Sequence, residues 1–235
     1  MRICKPFRAE LLGAMLLLAA CASAPATDMN TPGTTPTTAG TAEADARLDL
    51  PYLAHERVDY WVERFSRGDK REEFASYFVR KPEYESMIRE KLQRRGMPQD
   101  LIYLAMVESG FNPQARSLAE AVGIWQMVPD TARRYGLRVD ETIDERRDPE
   151  KSTDAALSYL SYLFNRFGSW YLAAAAYNSG ENRVARIMTE ATGSERGSDA
   201  HYYQIWDQLP GETRDYVPAM IAAARIGNER ARYGF

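Results

Sequence analysis

The chain has 235 residues, 45% of them hydrophobic and 27% charged, with a formal net charge of −3 at pH 7. That length fits one substantial domain with short appendages. No run of Lys or Arg forms a basic stripe, which argues against a nucleic-acid binder. The two cysteines, Cys4 and Cys21, lie too close to the N-terminus to staple a fold, so the core must be held by burial.

Residues 1–20 read as a secretory signal. Arg2, Lys5 and Arg8 form a positive start, and Leu11 to Ala20 is an apolar stretch too short to span a bilayer. Residues 21–48 are rich in Thr, Ala, Pro and Gly, as in Thr31-Pro32-Gly33-Thr34, with no large apolar side chain between Met29 and Leu48. Such a composition predicts a disordered tether.

From Tyr52 the pattern is helical. Val58, Trp61, Val62 and Phe65 recur at i, i+3, i+4 and i+7, one apolar stripe. Gly68 and Pro82 are expected to punctuate the following turns, and Gly96 with Pro98 to end a basic helix. Residues 49–96 are thus an N-terminal helical extension. Residues 97–190 form the expected central domain and 191–235 a C-terminal helical extension. Asp148-Pro149 opens a helix as N-cap and first helical residue, and Gly168 closes it. Tyr216, Met220, Ala223 and Ala224 predict one more amphipathic helix. The fold class is therefore mainly α, with at most a short β-hairpin between about Ile124 and Val139.

Three segments carry candidate chemistry. In Leu101 to Gly110 seven apolar residues precede Glu108, which predicts a buried helix with a carboxyl at its end. Desolvation disfavours a charged carboxylate, an environment that suits a general acid. The bland alternative is a solvated Glu, although the helix dipole makes a C-terminal anion slightly unfavourable. In Gly123-Ile124-Trp125-Gln126-Met127-Val128-Pro129, Gly123 allows a tight turn, Trp125 offers a flat face for a sugar ring, and Gln126 offers both donor and acceptor. For Trp125 alone, core packing is the competing reading. In Ala173 to Gly180, four alanines let a helix approach closely, and Tyr177 and Asn178 fall at the helix end beside Gly180. There they either position a polar substrate or simply cap the helix.

Together these segments resemble the lysozyme-like domain of the soluble lytic transglycosylase superfamily, glycoside hydrolase family 23, and within it the membrane-bound lytic murein transglycosylase D group. The motifs that carry the resemblance are Glu108-Ser109-Gly110, Gly123 to Pro129, Ala176-Tyr177-Asn178-Ser179-Gly180 and the tail Leu209-Pro210-Gly211-Glu212-Thr213-Arg214-Asp215-Tyr216-Val217-Pro218. They cover about residues 50 to 225. The resemblance implies that Glu108 is the catalytic acid/base, that Ser117 contacts an acetamido group, that Gln126 lines the cleft, and that Tyr177 hydrogen-bonds the catalytic Glu. Trp125 and Asn178 join the expected substrate contacts. Many members have Gly where Glu120 stands and Met where Val128 stands, so these two positions bear on subsite preference. LysM glycan-binding repeats, frequent in the group, are not read up to Phe235.

The resemblance further implies cleavage of the β-1,4 bond between N-acetylmuramic acid and N-acetylglucosamine in peptidoglycan, giving 1,6-anhydro products without consuming water. No cofactor or metal is implied, since His55 and His201 sit in no ligand-like cluster. Leu18-Ala19-Ala20-Cys21 resembles a lipobox, which implies a lipid anchor on Cys21 and a periplasmic site. Ala22 favours the outer membrane. Two rival readings follow. A lysozyme-like hydrolase needs a second carboxylate, for which Asp140, Asp144 and Asp148 are candidates. A non-catalytic glycan-binding lipoprotein would keep the fold alone.

Overall fold

A computed structural model of the chain describes residues 48–235. The signal, Cys21 and almost all of the tether lie outside the described residues. Within them the chain is helical: α1 (Glu56–Ser66), α2 (Arg71–Arg94), α3 (Ile102–Ser109), α4 (Pro129–Arg134), α5 (Pro149–Phe167), α6 (Trp170–Ser179), α7 (Glu181–Thr192), α8 (Asp199–Gln204) and α9 (Gly211–Asn228). In place of a hairpin there are three isolated antiparallel bridges, Arg116 with Val122, Val122 with Met127, and Val139 with Asp144.

Several boundaries follow the local chemistry. Asp148 caps α5 by accepting from the backbone N–H groups of Glu150 and Lys151 at 2.9 and 3.0 Å, and Pro149 takes the first helical position, where its missing N–H costs nothing. Gly168 ends α5 with a φ of 74°. Ser169 caps α6 through Leu172 N, 3.1 Å away.

Pro82 departs from expectation. It does not break a helix but lies inside the 24-residue α2. A proline there forfeits one ladder hydrogen bond and crowds the carbonyl four residues back. The α2 face carrying Phe74, Phe78, Ile88 and Leu92 is buried, and that tertiary packing holds the helix through the proline. Pro218 sits inside α9 in the same way.

The core is organised around α9. It packs on α1, α3 and α6. Every residue of α3 is buried, as its all-round apolar sequence requires. Ala173 to Ala176 on α6 and Ala222 to Ala224 on α9 are fully buried. Side chains this small let the two helix backbones approach closely. The C-terminal ends of α3 and α6 and the N-terminal turns of α9 are thereby brought together.

Candidate active site

Glu108 sits in the last turn of α3. It is 2% exposed, and its Oε1 accepts a hydrogen bond of 2.7 Å from the phenol of Tyr216, in the second turn of α9. The carboxyl is thus withdrawn from water yet partnered, as a buried polar group must be.

The chain reverses immediately after it. Gly110 (φ 57°) and Phe111 (φ 61°) are both left-handed. A Cβ on Gly110 would lie 2.2 Å from the ring of Tyr77, so no larger residue fits. Ser109 Oγ donates to the carbonyl of Ile124 at 2.8 Å. That bond ties the end of α3 to the loop bearing Gln126.

This loop is tightly built. Gly123 has a φ of 85°, and its missing side chain leaves room for the carbonyl of Arg146. Arg146 in turn donates Nη1 to the carbonyls of Glu120 and Met127 at 2.6 and 3.0 Å. It is fixed by a two-pronged pair with Asp144, both contacts 2.8 Å. Burial works against ionisation of Asp144, but the hydrogen bonds and charge of Arg146 outweigh it and hold the carboxyl below its usual range.

Gln126 is strained, with a φ of 47°. Its Nε2 donates to the carbonyls of Gly123 (2.9 Å) and Ala115 (3.3 Å). Two carbonyls can only accept, so the amide orientation is fixed, and Oε1 is the atom left over. That oxygen is buried and has no hydrogen-bond partner among the described residues. A buried acceptor left open costs about 1–3 kcal/mol, and a ligand N–H or O–H would recover it. Positive φ at Phe111, Glu120 and Gln126 places all three strained non-glycine residues of the described chain around this loop, where strain points to function.

A cavity of about 140 Å³ opens here, walled by Gln126, Val128, Thr131, Tyr159, Tyr177 and Asn178 among others. Tyr177 donates its hydroxyl proton to the Trp125 carbonyl at 2.8 Å. Asn178 is held on both sides by α9: it donates to Glu212 at 3.0 Å and accepts from Thr213 at 2.8 Å. Glu212, Thr213 and Tyr216 fall at i, i+1 and i+4, so one face of α9 serves both Asn178 and Glu108. Ser117 is buried, and its Oγ accepts from Ala121 N at 3.1 Å. Its hydroxyl proton remains available to a ligand.

The structure thus gathers Gln126, Tyr177 and Asn178 around one cavity, and α9 links Asn178, through Glu212 and Thr213, to Glu108, through Tyr216. Trp125 is different. Its indole is 0% exposed and donates to Thr153 Oγ1 at 2.8 Å. The flat face expected to meet a sugar is a core face instead, and only its carbonyl belongs to the site. Sequence reasoning also missed Tyr216 as a partner of Glu108. Tyr216 was visible in the tail motif, but nothing in its spacing from Glu108 shows that α9 returns to α3. The three acids weighed as a second carboxylate serve structure: Asp140 pairs with Arg138 and Thr142, Asp144 with Arg146, and Asp148 caps α5. Among the described residues no group of His, Cys, Asp and Glu is arranged to hold a metal ion.

A helical, lysozyme-like domain with a buried carboxyl at the end of one helix, tied to a loop that holds an open amide oxygen, is the class this fold and site define. More particularly, residues 85–198 match the transglycosylase SLT domain. It is 42% identical over 157 residues to membrane-bound lytic murein transglycosylase D of Escherichia coli strain K12, an alignment covering 66% of this chain and 34% of that one. It is 32% identical over 164 residues to membrane-bound lytic murein transglycosylase C of Haemophilus influenzae, covering 64% of this chain and 44% of the relative. The chain therefore spans about a third to under half of the length of these relatives. Among solved structures, the 70 kDa soluble lytic transglycosylase SLT70 of E. coli superposes with a TM-score of 0.51 at 26% identity, over 64% of this chain and 24% of that one.

Proposed function

We propose that the protein is a lytic transglycosylase that cuts the β-1,4 bond between N-acetylmuramic acid and N-acetylglucosamine in peptidoglycan. The observation that carries this is the buried carboxyl of Glu108, held by Tyr216 at the end of a helix that Ser109 ties to the loop bearing the unpartnered oxygen of Gln126. The relatives named as murein transglycosylases supply the substrate class.

Most glycosidases flank the bond with two carboxylates. Here Glu108 serves twice. It first protonates the leaving glycosidic oxygen as the bond to C1 of the muramoyl residue breaks. As a carboxylate it then takes the proton of that residue's own C6 hydroxyl, whose oxygen closes on C1. One bond is broken and one formed, the proton on Glu108 is restored, and no water enters. The C6 hydroxyl is held within the same sugar, so the closing step gains from effective molarity. Tyr216 keeps the carboxyl oriented through both steps. The oxygen of Gln126 and the hydroxyl of Ser117 would orient the acetamido and hydroxyl groups of the bound sugars.

The test is the mass of the products. Digestion of purified sacculi should release muropeptides ending in 1,6-anhydro sugars. Products heavier by one water would make the enzyme a hydrolase instead, and no release at all would leave a glycan-binding protein. The lipobox-like Leu18 to Cys21 and the membrane-bound naming of the relatives support a periplasmic protein anchored by lipid at Cys21, with Ala22 favouring the outer membrane. No helix among the described residues is long and apolar enough to cross a membrane. Metabolic labelling with a fatty acid, lost in Cys21→Ser, tests the anchor.

A further inference from the structure

A second concavity, of about 610 Å³, lies outside residues 85–198, between the start of α1 and the segment leading into α9. His55, Arg57, Trp206, Glu212, Arg214 and Asp215 are among its walls. The volume falls within the ~300–1,000 Å³ of small-molecule sites.

Its walls are preorganised. The ring of His55 stacks on Tyr203 at 4.3 Å and 11°, and Trp206 leans on His55 at 5.0 Å. Arg57 grips Asp215 with both prongs of its guanidinium, joining α1 to α9. Arg214 is more loosely held. Its side chain is 40% exposed, and its contact with Asp207, itself 96% exposed, is 3.9 Å. A pair so long and so wet contributes little, so that guanidinium is free to take a ligand carboxylate.

The concavity borders the reaction site. Glu212 lines it and also accepts from Asn178, which walls the smaller cavity. One helical turn further on, roughly 5.4 Å along the axis, Tyr216 meets Glu108.

We propose that this concavity receives the peptide stem of a muramoyl unit adjoining the bond that is cut. The inference rests on the peptidoglycan reading above. The argument is one of charge. Among the wall charges Arg57 and Asp215 answer each other and Glu212 is held by Asn178, which leaves the loosely held guanidinium of Arg214. A neutral sugar ring offers no counter-charge to that guanidinium, whereas the stem carries free carboxylates. The rings of His55 and Trp206 give its aliphatic portions a flat apolar surface. A stem branches from the glycan strand, and Glu212 in this concavity holds Asn178 in the wall of the smaller one.

The test is calorimetric titration of the full chain with N-acetylmuramoyl tetrapeptide, and with N-acetylmuramic acid whose lactyl carboxyl is capped as the methylamide and so carries no charge. Neither contains a bond the enzyme would cut, so binding is read whether or not the protein is active. The peptide-bearing ligand should bind at least about tenfold more tightly, as one added hydrogen bond between charged groups implies. Arg214→Ala and Trp206→Ala should each erase most of that difference. Equal affinity for the two ligands, or a difference that survives Arg214→Ala, would overturn the proposal. Arg214 is exposed enough that its variant should melt with the wild type, so it decides the matter if Trp206→Ala proves unstable. Failure of the proposed reaction would show separately, as sacculi left uncut by a protein that still tells the two ligands apart.

Discussion

Gly123 and Gly136 form a natural experiment. Their backbones are nearly the same, with φ of 85° and 88°. A Cβ on Gly136 meets nothing within 4 Å, whereas a Cβ on Gly123 would lie 1.9 Å from the carbonyl oxygen of Arg146. Alanine at Gly136 should therefore cost only the left-handed conformation, about 1–2 kcal/mol. Alanine at Gly123 carries that cost and must also displace the Arg146 carbonyl by about 1.5 Å to reach an ordinary contact. Arg146 cannot shift freely, because its side chain holds the Glu120 and Met127 carbonyls and the Asp144 carboxylate. Loosening two or three of these bonds, at about 1 kcal/mol each, brings the total to roughly 3–5 kcal/mol. For a chain of this size each kcal/mol lowers Tm by about 2–4 °C. Thermal melts followed by circular dichroism should show Gly136→Ala down by a few degrees and Gly123→Ala by about 10 °C or more. Only Gly123→Ala should also lose activity on sacculi, since it moves the loop that carries Gln126. Equal losses at the two positions would refute the argument that the loop is packed against Arg146.

Other expectations follow from the same geometry. Tyr216→Phe removes the phenol that holds Glu108; the rate on purified sacculi should fall roughly 10- to 100-fold, the worth of a hydrogen bond to a charged group, with the far-ultraviolet spectrum unchanged. Gln126→Leu should both weaken substrate binding and lower Tm, because it removes the open oxygen and also the Nε2 bonds to the Gly123 and Ala115 carbonyls; KM measured well below the variant's own Tm reads the first effect. Trp125→Phe should lower Tm rather than alter KM, since the indole serves the core and its bond to Thr153 is worth about 1 kcal/mol. The carboxyl of Asp144 is held below its usual range in the folded state, so its contribution to stability is present above the unfolded value near 3.9 and is lost as pH falls through the lower folded value. The gap in Tm between wild type and Asp144→Asn should accordingly be widest near neutrality and narrow below about pH 4; a gap independent of pH would contradict the pairing with Arg146.

Much of this was legible in the sequence where one residue's chemistry sets the local structure. Asp148-Pro149 and Gly168 bound α5 because a cap, a fixed φ and a left-handed residue act within one turn. The unbroken apolar run before Glu108 told of a buried helix because burial on all sides leaves no polar stripe. What could not be read depends on distant contacts. Pro82 signals a break locally, and only the packing of α2 keeps the helix intact. Phe111 and Gln126 carry no mark of a positive φ, since the surrounding loop imposes it. Asp144 and Arg146 stand in a run of alternating charge that carries no local mark of burial, yet Arg146 is 5% exposed and clamps the loop of the site. Tyr216 lies 108 residues from its partner Glu108, a pairing that only the return of α9 to α3 creates.

The most direct test of the central claim is Glu108→Gln, a substitution of the same size that can neither give nor take a proton at neutral pH. Purified sacculi incubated with the variant should yield no anhydro-muropeptides by mass spectrometry, while its Tm stays within a few degrees of the wild type. Anhydro products released at the wild-type rate by a folded Glu108→Gln protein would contradict the account.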